Sequence, residues 1–227
     1  MLNKNTINFM SLKEILSSFN GGASSEEIIN EEFARMAKQL LYGGHFRVLN
    51  SKNIYLEEIE FYYHEEDGRI KDPIMYHTND HEGKQVSYYK LGRFNMHTSG
   101  VDVTFENEEK QYRASFLIRA YRVDNNPIET RSTYIYDAMF GMGIPFDEPI
   151  EMEWVEDKMD DNVKALSLKG TWRKNVPEYK RDEDGCYVKG IDGKYIKEET
   201  TEVNDNTFAY GKSRYVKCHK PWRFIKH

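Results

Sequence analysis

Residues 54–63, Ile-Tyr-Leu-Glu-Glu-Ile-Glu-Phe-Tyr-Tyr, decide how this chain is read. β-Branched and aromatic residues dominate the run, and no proline or glycine interrupts it, so it reads as a strand. With the two-residue period of a strand, Leu56, Glu58, Glu60 and Tyr62 share one face, and Tyr55, Glu57, Ile59 and Phe61 share the other. Glutamates stand among large apolar groups on both sides. The two faces therefore cannot both be simple core.

Outward from this strand the chain alternates between helical and extended patterns. His45 to Leu49 predicts a partner strand across a polar turn at Asn50 to Asn53. Ahead of it, Ser24 or Ser25 caps a helix whose apolar positions Ile28, Ile29, Phe33, Met36, Ala37, Leu40 and Leu41 recur at helical spacing. Gly43-Gly44 ends that helix, and a shorter one spans Leu12 to Phe19. Downstream, strands are predicted over Ser87–Met96, Val101–Phe105 and Tyr112–Val123, with a hairpin at Glu106 to Lys110 and a helix from Arg131 to Met142. Between about Lys158 and Thr207 the chain is polar and loop-rich, with tight turns at Asp184-Gly185 and Asp192-Gly193. Mixed strands with flanking helices predict an α+β fold: a single domain over 1–227, with a curved, mostly antiparallel sheet.

Composition narrows the function classes. With 16 Tyr and 12 Phe in 227 residues there is ample apolar area for a core. Charged residues make up 31% of the chain, and the mean hydropathy is -0.79. No stretch approaches the roughly 18 apolar residues of a membrane-spanning helix. The opening MLNKNTINFMSLKEILSSF has no secretory apolar run or cleavage site. Two cysteines, Cys186 and Cys218, support neither a disulfide framework nor a structural zinc site, so the expectation is a cytoplasmic monomer without metal or cofactor. A net charge of -6 is unusual for a dedicated nucleic-acid binder. The basic tail Lys212 to His227 contains no acidic residue, and it can serve as a phosphate-contacting strip or as a solvated terminus.

Four segments, in this order, resemble the alkyladenine (3-methyladenine) DNA glycosylase family. They are EFARMAKQLL at 32–41, LEEIEFY at 56–62 followed by Asp72-Pro73 and His77, ASFLIRA at 114–120, and KPWRF at 220–224. The resemblance implies a glycosylase scaffold and a metal-free hydrolysis of the N-glycosidic bond of a damaged or modified base, an alkylated purine above all. DNA, duplex or single-stranded, is the implied partner. It assigns Glu60 as the general base that activates water, Tyr62 as the residue stacked on an extruded base, His77 as its contact on the other side, and Arg119 as the group orienting the acid or holding a phosphate. An electron-rich aromatic wall suits a cationic alkylated purine. Glu58, two residues before Glu60, is the fallback acid or an arginine's partner. Lys220, Arg223 and Arg214 are the candidate contacts to the DNA backbone.

The chain also departs from that family. Where the family wedges a tyrosine into the minor groove, this chain has Ser99, which cannot fill a vacated stack, with His97 or Arg93 as substitutes. Glu129 to Ser132 replaces a glycine-rich helix entry, and the 158–207 insertion has no counterpart. His97 and Asp102 offer a second polar set to the pocket, or Asp102 satisfies a local turn. Two further classes stay open beside the enzyme: a nucleic-acid- or nucleotide-binding module, and an interaction protein whose acidic surface docks a partner.

Overall fold

A computed structural model describes residues 10–22, 25–49, 51–141 and 151–227. The described elements follow the order α1 (Leu12–Ser17), α2 (Glu26–Tyr42), β1 (Gly44–Val48), β2 (Lys52–Glu65), α3 (Asn79–Glu82), β3 (Phe94–His97), β4 (Gly100–Thr104) and β5 (Tyr112–Val123). A 3-10 turn (Ser132–Tyr134) and α4 (Ile135–Met139) come next, then β6 (Met152–Glu156), α5 (Asp161–Ala165), β7 (Thr207–Tyr210), β8 (Ser213–Val216) and β9 (Arg223–Ile225).

One antiparallel sheet organises the domain, in the order β3-β4-β5-β2-β1-β6, and it curls into a half-barrel. β9 adds to β2 beyond the short β1 pairing, with Glu60 opposite Arg223. This α+β architecture agrees with the fold class expected from the pattern. Among the described residues no helix is long and apolar enough to cross a membrane.

One face of the sheet buries α1 and α2. Ser11 caps α1 with a reciprocal bond to Glu14, and Ser25 caps α2 by accepting the Ile28 N–H. Ser24 lies outside the described residues. From α2 the groups that enter the core are Ile29, Phe33, Met36, Ala37, Leu40 and Leu41, whereas Ile28, expected on the same face, is 44% exposed at the rim. Phe33 stacks on Phe61 of β2 with ring centroids 4.3 Å apart and meets Trp222 edge-on at 5.3 Å. Each such pair adds about 1 kcal/mol beyond the area it buries. Trp222 satisfies its indole N–H on Asn30 Oδ1 at 2.7 Å, which ties the C-terminal segment to α2.

β2 does not keep strict alternation. Its pairing with β5 shifts register between Leu56 and Glu58 and again before Ile59. Such a bulge turns the side chains over. Ile54 and Leu56 therefore share the core with Ile59, Phe61 and Tyr63, and Leu56 is not on the face of Glu60 as the simple period suggests. Past the bulge, Glu58, Glu60, Tyr62 and His64 stand on the opposite, concave face.

Other expected bounds also shift. Of the predicted strand 87–96 only the last three residues fall in a strand, β3, which runs on to His97. The stretch before it is drawn into local bonds: Glu106 accepts from Tyr89 N–H at 2.7 Å, Thr104 Oγ1 donates to Lys90 and Arg93 carbonyls, and Gly92 turns at φ 74°. The helix expected over 131–142 is a 3-10 turn followed by α4, and Met142 lies outside the described residues. The segment 158–207 is less loop-like than its composition suggests. Bridges pair Tyr179 with Lys197, Arg181 with Tyr187, Lys189 with Tyr195 and Glu199 with Tyr215, giving a β-meander turned at Gly185 and Gly193.

Candidate functional site

The concave face of the sheet is polar because of register. Tyr62 lies opposite Ser115, Glu60 opposite Leu117, Asp102 opposite Leu117, Thr104 opposite Ser115 and Asn95 opposite Asp102. These positions share one side of the pleat with Arg119 and His97. A cavity of about 730 Å³ opens over them, closed on its other sides by residues 74–77, Tyr89, residues 174–177, Lys197 and the β7–β8 hairpin.

Beneath the cavity lies Glu60, fully buried. Its Oε1 accepts from the Tyr62 hydroxyl at 2.5 Å and from Arg119 Nη2 at 2.7 Å, and its Oε2 accepts from the backbone N–H of Lys174 at 2.9 Å. A carboxylate offers about four acceptor positions, so one on Oε2 is left over. Charged bonds of this kind are the strong class and fix the carboxylate's orientation. Burial raises the Tyr62 hydroxyl well above its ordinary pKa, and the Glu60 charge adds to that. Burial acts against the Arg119 charge, but Glu60, Tyr62 and Glu58 together outweigh it and hold the guanidinium above its usual value.

The other expected residues sort clearly. Tyr62, His77, His97, Asp102 and Arg119 all line the cavity. His77 is already stacked flat on Tyr89, centroids 3.7 Å apart, and bonds the Ser87 carbonyl through Nε2 at 2.8 Å. His97 accepts the Ser99 N–H on Nδ1 at 3.3 Å, so its proton sits on Nε2, 3.2 Å from Asp102 Oδ1. Asp102 faces that imidazole across the strand pair, and the turn at Ser99-Gly100 is held by other groups. Ser132 donates to the Ser99 carbonyl at 2.6 Å, and Tyr136 donates to the carbonyls of His97 and Gly100.

Glu58 is spent on Arg223, which grips it in a fork at 2.7 and 3.0 Å. That pairing takes Arg223 out of the set of outward-facing cations. Lys220 is buried, with its ammonium 4.3 Å from the Trp222 ring centroid and 3.4 Å from Glu26. Arg214 is half-buried and bonds Thr207 Oγ1 at 3.3 Å. The backbone-contact role expected for Lys220 and Arg223 thus meets residues committed to internal pairs.

Several residues of the site escaped sequence reasoning. Arg173 is buried and forks onto Asp72 at 2.5 and 3.0 Å, with Tyr62 and Trp222 rings about it. It anchors the insertion, which delivers Lys174 to Glu60 and to the cavity wall. Arg113 is fully buried and joins Glu66 at 2.7 Å to Glu106 at 3.0 Å. Burial pushes the Glu106 carboxyl up to about 7 even with Arg113 beside it. The alternation of Tyr112–Val123, which places Arg113 and Arg119 on one face, was the available signal.

Among the described residues four buried side-chain atoms in the cavity lining make no well-formed hydrogen bond: Arg119 Nε and Glu106 Oε1, and the facing pair His97 Nε2 and Asp102 Oδ1, 3.2 Å apart. Two are donors and two are acceptors. Buried polar groups are rarely left this way without a reason. Among the described residues no group of three or more His, Cys, Asp or Glu side chains is placed to hold a metal ion. Comparison with known protein families, with curated proteins and with solved structures finds no match for this chain.

Proposed function

We propose that the cavity over β2, β4 and β5 takes a nucleobase and that the chain hydrolyses the N-glycosidic bond of a damaged or modified nucleotide in DNA. The observation that carries this reading is the set of unsatisfied donors and acceptors on an aromatic-walled cavity directly above the Glu60–Arg119 pair. A purine edge presents both donors and acceptors, and its ring stacks on tyrosine. The cavity, at about 730 Å³, lies within the range of small-molecule sites.

In this mechanism the base enters against Tyr62 and Tyr76, and its edge bonds His97 Nε2–H and Asp102 Oδ1. Water takes the remaining acceptor position of Glu60 Oε2, the carboxylate removes a proton from it, and the oxygen attacks C1′ as the glycosidic bond breaks. The departing base carries away the bonding pair and takes up a proton. Arg119 holds Glu60 oriented through its bond to Oε1. A surface of net charge -6 and the lack of an aromatic at position 99 favour a single-stranded or already unpaired substrate over an ordinary duplex, because extrusion then costs less.

A second reading rests on the closure of Glu60, which has three donors and no exposed surface. A carboxylate so enclosed also suits a binding module that holds a nucleotide without cleaving it. Single-turnover assays on single-stranded and duplex oligonucleotides carrying alkylated or deaminated purines separate the two. Base release, faster from single strands, supports the glycosylase. Saturable binding with intact glycosidic bonds supports the module, and neither binding nor release on any substrate removes both.

A further inference from the structure

A second cavity, of about 590 Å³, is formed by the first turn of α2, the residues after β2, and Arg181, Tyr187 and Lys220. Its charge is unlike that of the protein as a whole. Four cations line it, Arg69, Lys71, Arg181 and Lys220, against two carboxylates, Glu26 and Glu65, in a chain whose net charge is -6.

Two of these cations are engaged within the protein: Lys71 Nζ donates to the Glu65 and Glu66 carbonyls and lies 3.9 Å from Asp80, and Lys220 pairs with Glu26. Glu65 is buried, and its oxygens accept from the Tyr63 hydroxyl at 2.8 Å and the Ile70 N–H at 3.1 Å. Gly68 packs so close that a Cβ there would lie 1.9 Å from Glu65 Oε2, which keeps this acid turned into the loop. Glu26 is the one ion-pair partner of Lys220 among the described residues, at 3.4 Å, and its side chain is 47% exposed. Arg69 is exposed and forms no hydrogen bond or ion pair among the described residues. Arg181 lies over the Tyr187 ring at 4.1 Å and bonds its hydroxyl at 2.6 Å. The start of α2 adds partial positive charge at the same place.

We propose that this cavity binds the phosphate of a small phosphate monoester. A dianion matches the two guanidinium groups in the lining, Arg69 and Arg181, that pair with no carboxylate among the described residues, and guanidinium groups suit phosphate by their forked geometry. The volume exceeds what one phosphate group fills, leaving room for an organic group along Tyr187.

Calorimetric titration of the full chain with inorganic phosphate, adenosine monophosphate and adenosine tests this without any measurement of base release. The monophosphate binds more tightly than inorganic phosphate, and added salt weakens both. Arg69→Gln and Arg181→Gln each weaken it about tenfold, since each removes a charged bond to phosphate. Arg69 is exposed, so its variant folds even where a change at buried Lys220 does not. Adenosine, which lacks the phosphate, is indifferent to both substitutions, so binding in the cavity over Glu60 is told apart. Equal affinity of the monophosphate for wild type and the double variant overturns the proposal. So does inorganic phosphate binding as tightly as the monoester, or neither binding at all.

Discussion

Glu60 and Phe61 are neighbours on one strand and point to opposite sides of the same sheet. Behind Phe61 the sheet is sealed by stacked and edge-on aromatic rings from α2, β5 and the C-terminal segment. Around Glu60, held by three fixed donors, there are further buried ions, with several polar atoms left unmatched. The apolar face gains from simple burial, which is non-directional and tolerant of small shifts. The polar face gains little net stability from its ion pairs, because desolvation offsets much of their attraction. The difference teaches that one face holds the fold together, and the other spends stability to hold charges in a defined arrangement.

Substitutions on either side test that contrast. Phe61→Ala removes a fully buried ring and leaves a cavity, so chemical denaturation should show a loss of about 3–5 kcal/mol. A loss below about 1 kcal/mol would mean that the apolar face does not dominate stability.

On the polar face the largest expected effect depends on pH. His64 is fully buried; its Nδ1 accepts the Asp72 N–H at 3.2 Å, and burial, helped by Lys71, lowers its pKa from 6.5 to about 4. The unfolded chain therefore binds the proton more tightly. The contribution of His64 is present above about pH 6.5 and lost as pH falls through 4. That gap corresponds to on the order of 3 kcal/mol. Urea unfolding at pH 7 and at pH 4 should show the wild type losing more stability than His64→Gln over this window. Equal losses in the two proteins would contradict the assignment. Glu106 acts in the opposite sense. Its pKa is raised from 4.5 to about 7, so its contribution is present below 4.5 and lost as pH rises through 7, and Glu106→Gln should remove that decline.

The smallest effect is expected from Tyr62→Phe, which deletes the hydroxyl on Glu60 and keeps the ring. Stability should fall by about 1–2 kcal/mol. Binding of a free purine, read by fluorescence titration, should change by less than about threefold, since the stacking surface remains. A complete loss of binding would mean the hydroxyl, and not the ring, receives the base.

These contrasts were only partly legible in the sequence. The bounds of β5, Tyr112–Val123, follow from an aromatic- and aliphatic-rich run that no proline or glycine interrupts, and α2 follows from its helical stripe and serine cap. The bulge in β2 was not legible, because Glu57-Glu58 fits the alternating pattern as well as it fits an extra residue. Met152–Glu156 was missed as a strand, since one of its faces is the exposed edge of the sheet. For the site, Glu60, Tyr62 and Arg119 come together because period-two spacing on paired strands places them on one face. Lys174 reaches Glu60, and Arg173 reaches Asp72, from about a hundred positions downstream, through bridges between short polar segments. Nothing in local hydrophobicity marks such a connection, because each segment pairs through backbone groups and buries little on its own. The tail lysines and arginines looked like a basic strip by count, yet Lys220 and Arg223 meet acids that only the tertiary fold supplies.

The most direct test is single-turnover base release by Glu60→Gln, with the wild type and Phe61→Leu run beside it at a temperature where all three are folded. The glutamine keeps the shape and most of the bonding of Glu60 but cannot take a proton from water. Release should fall by at least about a hundredfold in Glu60→Gln, while Phe61→Leu loses stability and keeps its rate. Release at the wild-type rate from Glu60→Gln would contradict the account and leave the buried carboxylate with a structural role alone.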